Sequence, residues 1–338
     1  MHFFDEEDFR YEKQEDIRIM NENIKKVTKH LMMAEGMDVP EAEFSFEAEK
    51  ITEDAPEASI GSVTYGTSDN KGDLSDGCYV LDKEAVISFE EFPHAGLYEY
   101  AVKETKGSQE GITYDDASYT MRVYVANGAD GDLEIKSVTA EKENEKQEEL
   151  AFENIYRETG SLTISKKTEG ELADKTKDFT FSIIFTRSAT EDDSVMEYTG
   201  KIGTETVTCK VGEKTSFQLH DGESLVFDSL PVGTRYVVEE EGAADGYTPS
   251  VSVIENNIKK VNPRTAAEGE SLASAEEGST NLVGELTNEV TFTNTYPVIP
   301  VTGLILEQMP FILLIGLPIL LLLIPTVIKA QMKRHRRH

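Results

Sequence analysis

The chain has 338 residues, room for two ordinary domains and a further segment. Its 64 Asp and Glu against 33 Lys and Arg leave a formal net charge of -31, which excludes a nucleic-acid partner because phosphate binding requires a basic footprint. The only cysteines, Cys78 and Cys209, lie in different halves of the chain and exclude a disulfide framework.

In chain order, residues 1–23 form an acidic segment. Its start, "MHFFDEEDFRYEKQED", lacks the apolar core of an export signal. Because features further along require export, the natural start is expected to lie upstream. Residues 24–297 read as short alternating runs rich in Thr, Tyr, Phe and Val, punctuated by Gly, Asp and Asn. With turn signals such as "NGADGD", "HDGES" and "LPVGT" at hairpin spacing, the predicted class is all-β, an antiparallel sandwich. "NGADGDLE" lacks the spacing of oxygen ligands that a calcium loop needs and is predicted to be a hairpin turn. Val207, Cys209 and Val211 share one face of a candidate strand, so Cys209 is expected to be a small buried hydrophobe. Nothing around Cys78 activates a thiolate.

The two halves repeat. "IKKVTKHL" (Ile24 to Leu31) corresponds to "SLTISKKT" (Ser161 to Thr168), "YEYAVKE" (Tyr98 to Glu104) to "TRYVVEE" (Thr234 to Glu240), and "LAFENIY" (Leu150 to Tyr156) to "VTFTNTY" (Val290 to Tyr296). Each half thus has an opening, an acidic and a closing strand, which predicts domains over 24–157 and 158–297. Period-2 alternation assigns their inward faces. Lys29 shares a face with Val27 and Leu31, and Lys166 with Leu162 and Ile164. Glu104 follows Tyr98, Tyr100 and Val102, and Glu240 follows Tyr236 and Val238. Asn154 interrupts Leu150, Phe152 and Tyr156, and Asn294 interrupts Val290, Phe292 and Tyr296. From Lys29 to Glu104 the span is 75 residues and from Lys166 to Glu240 it is 74. A strand-end Lys or Glu taken singly often points to solvent. Six polar residues recurring at matched spacing on apolar faces predict burial instead.

After Pro297 a short extended segment, 298–303, leads to residues 304–328. Within these, Met309 to Ile328 carry no charge over 20 residues, enough helix for one bilayer crossing. Residues 329–338 form a cationic tail containing Lys329, Lys333, Arg334, Arg336 and Arg337, which predicts a cytoplasmic C-terminus and an extracellular remainder.

A buried lone ammonium or carboxylate is costly, and the usual response is neutralisation through a shifted pKa. A neutral lysine amine is a nucleophile, and a protonated glutamic acid is a donor and proton shuttle. Beside an asparagine amide the pair can drive attack of Lys on the side-chain carbonyl with loss of ammonia, leaving an intramolecular isopeptide bond. The chemistry occurs once per domain. His30, His94 and His220 are scattered, and no metal-ligand spacing, nucleophile elbow or phosphate loop is present, so no metal, no cofactor and no turnover enzyme is predicted.

With these residues the chain closely resembles the Gram-positive backbone (major shaft) pilins with intramolecular isopeptide bonds, from about Ile24 to the C-terminal region. The resemblance implies two tandem immunoglobulin-like β-sandwich domains followed by a sorting signal with one transmembrane helix. It assigns Lys29 and Asn154 as bond partners with Glu104 as catalytic acid, and Lys166 and Asn294 with Glu240. "YVVEEEGAADGYT" and "FTNTY" are the most specific stretches. Lys167 adjoins Lys166, and Glu239 and Glu241 flank Glu240, so a one-residue slip stays open, with alternation favouring Lys166 and Glu240. The resemblance also implies that Ile299, Pro300, Val301, Thr302 and Gly303 form a sortase motif cut between Thr302 and Gly303, with Ile299 in place of the commonest Leu. The implied partners are a sortase transpeptidase and, covalently, other pilin subunits or peptidoglycan, with the precursor held transiently in the plasma membrane. Lys146 is the candidate inter-subunit lysine and Lys142 the second choice; Gln147 occupies the nearest family position. The expected function is a pilus shaft subunit attached to the cell wall or pilus. The alternative is a singly wall-anchored adhesin or a minor tip or basal pilin.

Overall fold

The computed structural model describes residues 23–297 except 243–245, 261–263 and 268. The predicted sortase motif, apolar span and cationic tail lie outside the described residues. Strands and turns account for all the regular structure among the described residues, with no helix. Alternation produces it: in the opening strand Lys26–Ala34, Val27, Lys29 and Leu31 are fully buried.

The first half is a two-sheet sandwich. One five-stranded sheet runs Ala58–Ile60, Cys78–Phe89, Lys26–Ala34, Leu150–Tyr156, Ile112–Thr113, and the facing sheet runs Glu145–Gln147, Leu133–Lys142, Ser118–Asn127, Gly96–Glu104, Phe46–Lys50. Apolar side chains between them, among them Val27, Leu31, Tyr100, Val102, Val123, Leu150 and Phe152, form one core. The second half repeats the plan. Its opening strand Thr159–Glu169 lies between Ser224–Pro231 and the closing strand Glu289–Thr295 in an eight-stranded sheet. This packs on a five-stranded one built around Phe179–Thr186 and Arg235–Glu240.

Most neighbours are antiparallel, as the turn signals predict, but the opening and closing strands of each half pair in parallel. Val27 to Met33 run alongside Leu150 to Tyr156, and Thr163 to Glu169 alongside Glu289 to Thr295. Parallel neighbours need a long connection, and here almost the whole domain supplies it. Alternation also lapses at the end of each closing strand, leaving Tyr156 and Tyr296 half-buried. Tyr156 donates its hydroxyl to Glu158 at 2.7 Å.

Only Arg157 and Glu158 separate the first closing strand from the second opening strand. The two sandwiches are therefore in contact. Val232 inserts into the core of the first, Asn256 Nδ2 donates to the Gly36 carbonyl at 3.2 Å, and Arg235 pairs with Glu35. Cys209 is fully buried in the second core and Cys78 is buried in the first half; both are unbonded thiols, pushed up in pKa by desolvation.

Candidate functional site: a buried lysine, glutamate and asparagine in each sandwich

In the first sandwich the parallel register sets Lys29 opposite Phe152, and Leu31 opposite Asn154. Lys29 and Asn154 therefore point to the same interior face, one pleat apart. Glu104 reaches them from the last position of the facing strand Gly96–Glu104. One of its carboxylate oxygens accepts from Lys29 Nζ at 3.2 Å and the other accepts from Asn154 Nδ2 at 2.7 Å. Lys29 also donates to the Phe152 carbonyl at 3.3 Å, and its ammonium stands 4.9 Å from the Phe44 ring centroid. The Lys29 and Glu104 side chains have no exposed area, and Asn154 is fully buried.

The second sandwich repeats this arrangement. Lys166 is opposite Phe292, and Thr168 opposite Asn294. A single Glu240 oxygen accepts from Lys166 Nζ at 2.8 Å and from Asn294 Nδ2 at 2.6 Å. The amine lies 4.0 Å from the Phe179 centroid and 5.7 Å from that of Phe181. Lys167 is exposed, and Glu239 turns outward to Lys214 at 2.8 Å. Lys166 and Glu240 are thus the members of their runs that meet inside.

Burial dominates the electrostatics. Desolvation lowers both lysines from their ordinary 10.5 to about 8, with Glu104 and Glu240 respectively opposing the fall. Desolvation also raises the Glu104 carboxyl, against the pull of Lys29 and the Asn154 amide. In the first sandwich both shifts narrow the gap between the ion pair and the neutral pair of amine and acid, the forms that nucleophilic attack and proton transfer need.

Several neighbours of these groups carried no signal in the strand alternation. The Asp115 backbone N–H donates to Asn154 Oδ1 at 2.8 Å from a loop. Phe44, Phe179 and Phe181 supply ring faces to the amines, and Tyr65 caps the Lys29 carbonyl at 2.8 Å. Lys146 is exposed on the short strand Glu145–Gln147, opposite Glu141. Lys142 is half-buried, its amine 5.7 Å from the Tyr119 ring centroid. A two-residue turn, Glu143 and Asn144, both at positive φ, joins their strands.

Residues 24–157 match the model of the Spy0128-like isopeptide containing domain, and residues 160–296 match a domain of unknown function, DUF7601. The chain is 28% identical over 308 residues to a pilin of Streptococcus pyogenes serotype M1, covering 85% of each. It is 35% identical over 147 residues to the pilus tip adhesin Cpa of Streptococcus pyogenes, of which it covers 18%. Among solved structures it is similar to the major pilin of Streptococcus pyogenes, at 26% identity and a TM-score of 0.38 over 81% of this chain and 99% of that one. Residues 24–157 thus form a domain of the Spy0128-like isopeptide-containing type, and the chain as a whole is similar to a streptococcal pilin along most of its length.

Proposed function

We propose that each sandwich closes its own isopeptide bond, Lys29 to Asn154 and Lys166 to Asn294, and that the chain is a shaft subunit hardened by these links. The observation that carries the proposal is the twofold occurrence of a buried glutamate hydrogen-bonded at once to a lysine amine and an asparagine amide nitrogen. In the first sandwich the Lys29 proton passes to Glu104, and the amine lone pair attacks Asn154 Cγ. Glu104 returns that proton to Nδ2, and the tetrahedral intermediate expels this nitrogen as ammonia. The remaining surplus proton of the attacking nitrogen passes through Glu104 to the ammonia, which leaves as ammonium. One C–N bond forms, one breaks, and the glutamate ends as it began. Glu240 does the same for Lys166 and Asn294.

The same proposal extends to assembly. Residues 24–157 and 158–297 act as the two domains of the extracellular part, and Ile299 to Gly303 are cut by a sortase between Thr302 and Gly303. The Thr302 carboxyl is passed to a lysine of the next subunit, Lys146, or to peptidoglycan. The apolar segment 304–328 and cationic tail 329–338 hold the precursor in the plasma membrane with its C-terminus cytoplasmic until cleavage.

Intact-mass measurement of the extracellular part tests the bonds. A deficit of two ammonia molecules from the sequence mass is expected, and an undiminished mass would overturn the assignment.

A further inference from the structure

The two sites differ at one atom, the asparagine carbonyl oxygen. In the first sandwich Asn154 Oδ1 accepts the Asp115 backbone N–H at 2.8 Å. In the second, Asn294 Oδ1 has no hydrogen-bond partner among the described residues. Its neighbour across the adjacent strand is Pro249, which has no N–H to donate.

The Asp115 amide is held in place by its own side chain. One carboxylate oxygen accepts the Ala117 N–H at 2.8 Å, closing a local turn, and the other accepts the Glu153 N–H, also at 2.8 Å. Glu153 directly precedes Asn154. The short edge strand Ile112–Thr113 pairs only with Ile155 and Tyr156, so Asp115 takes over the sheet edge where that pairing stops. The loop is thereby fastened to the strand that carries the reacting amide.

We propose, resting on the cross-link reading above, that the Asp115 backbone N–H is the oxyanion donor for closure of the Lys29–Asn154 bond, and that the Asp115 carboxylate is the positioning residue that aims it. Attack of Lys29 Nζ on Asn154 Cγ moves an electron pair onto Oδ1. A donor already 2.8 Å from that oxygen stabilises the developing charge without reorganising, in a site where solvent does not compete. The same bond fixes the amide orientation, with Oδ1 toward Asp115 and Nδ2 toward Glu104, so the leaving nitrogen faces the acid that protonates it. The second site holds its leaving nitrogen on Glu240 but lacks this donor among the described residues. The first bond accordingly closes faster than the second.

The test follows both bonds in one molecule. Full-length chain is made by pulsed cell-free synthesis and quenched in acid denaturant at intervals. The Lys29–Asn154 and Lys166–Asn294 cross-linked peptides are then quantified by mass spectrometry. Replacing the amide at Asp115 with a backbone ester, by incorporating the matching hydroxy acid, deletes the N–H and keeps the carboxylate. Loss of one such donor is expected to slow first-domain closure on the order of 100-fold, with the second bond closing at its normal rate. Asp115→Ala is expected to slow the first bond through loss of aim, and Asp115→Asn, which keeps one acceptor, to slow it less. Slow approach to the wild-type final yield separates a rate effect from misfolding. Wild-type closure rates in both the ester chain and Asp115→Ala would overturn the inference. Absence of the first cross-link from wild-type chain at the end point would instead overturn the cross-link reading on which it rests.

Discussion

Lys29 and Asn154 stand one pleat apart on adjacent parallel strands, and Glu104 from the facing sheet contacts both. Lys166 and Asn294 keep the same offset in the second sandwich. Parallel pairing places the start of the opening strand and the end of the closing strand at opposite ends of each domain. Tension on the chain therefore shears these two strands against each other. The proposed covalent link between them would carry the load from one strand to the other and bypass the intervening loop, from residue 30 to 153 in the first domain.

Removing one bond partner should restore one ammonia to the measured mass. Asn154→Ala, Lys29→Ala, Asn294→Ala and Lys166→Ala are each expected to do so. Releasing a loop of this length is expected to cost about 5 kcal/mol by analogy with a disulfide, a fall in melting temperature on the order of 10 °C or more. Mass spectrometry and calorimetry on the same samples check both effects.

The acids should matter more than their hydrogen bonds alone. Glu104→Ala is expected to abolish the first link and to leave a lysine buried without its carboxylate, a loss of about 3 to 5 kcal/mol beyond that of the link. Adding Lys29→Met to Glu104→Ala removes the stranded amine and is expected to recover much of that further loss. Denaturant unfolding of the single and double variants provides the comparison. Equal stabilities would contradict the buried-pair account.

A pH signature belongs to the unlinked domain. In Asn154→Ala the amine of Lys29 remains, lowered by desolvation to about 8 from 10.5. Between these values the unfolded chain binds more protons than the folded one, so stability rises with pH across that window and the penalty is fully present below it. The raised Glu104 carboxyl acts oppositely in the acid range, where the folded state holds the extra proton and stability falls as pH rises. Unfolding free energy of Asn154→Ala minus that of Lys29→Met with Asn154→Ala, measured from pH 7 to 11, isolates the lysine. A flat difference would show that the amine is not desolvated.

Polymerisation should depend on a different lysine from the internal links. Lys146→Ala is expected to remove the high-molecular-weight ladder of boiled wall extracts, leaving the ammonia deficit of the monomer unchanged. If ladders persist with Lys146→Ala and disappear with Lys142→Ala, the inter-subunit lysine is Lys142, four residues earlier on the other side of the Glu143–Asn144 turn.

Much of this molecule was legible because β-strand alternation is a local property. Val27, Lys29 and Leu31, or Tyr236, Val238 and Glu240, share a face whatever the rest of the chain does, and an apolar face predicts its own burial. The repeat then turned three ambiguous polar residues into two matched sets. Alternation also separated Lys166 from Lys167 and Glu240 from Glu239, since neighbours on a strand point to opposite sides.

Alternation says nothing about which strands lie side by side, in which direction, or in what register. The parallel pairing of strands more than a hundred residues apart in the first domain, and its offset of Lys29 against Phe152, is decided by packing of the whole sandwich. The tilt of Glu104 toward both partners and the rings over the amines depend on contacts between sheets. So does the half-burial of Tyr156 and Tyr296, where each closing strand leaves the core. Asp115 lay beyond reach for a further reason. Its part is played by a backbone N–H, a group that every residue except proline possesses, and only the folded loop brings that group to Asn154. The amino-acid sequence determined which polar side chains face inward, because alternation is local; the tertiary structure decided their mutual distances and the backbone N–H that meets Asn154, because both depend on the packing of the whole sandwich.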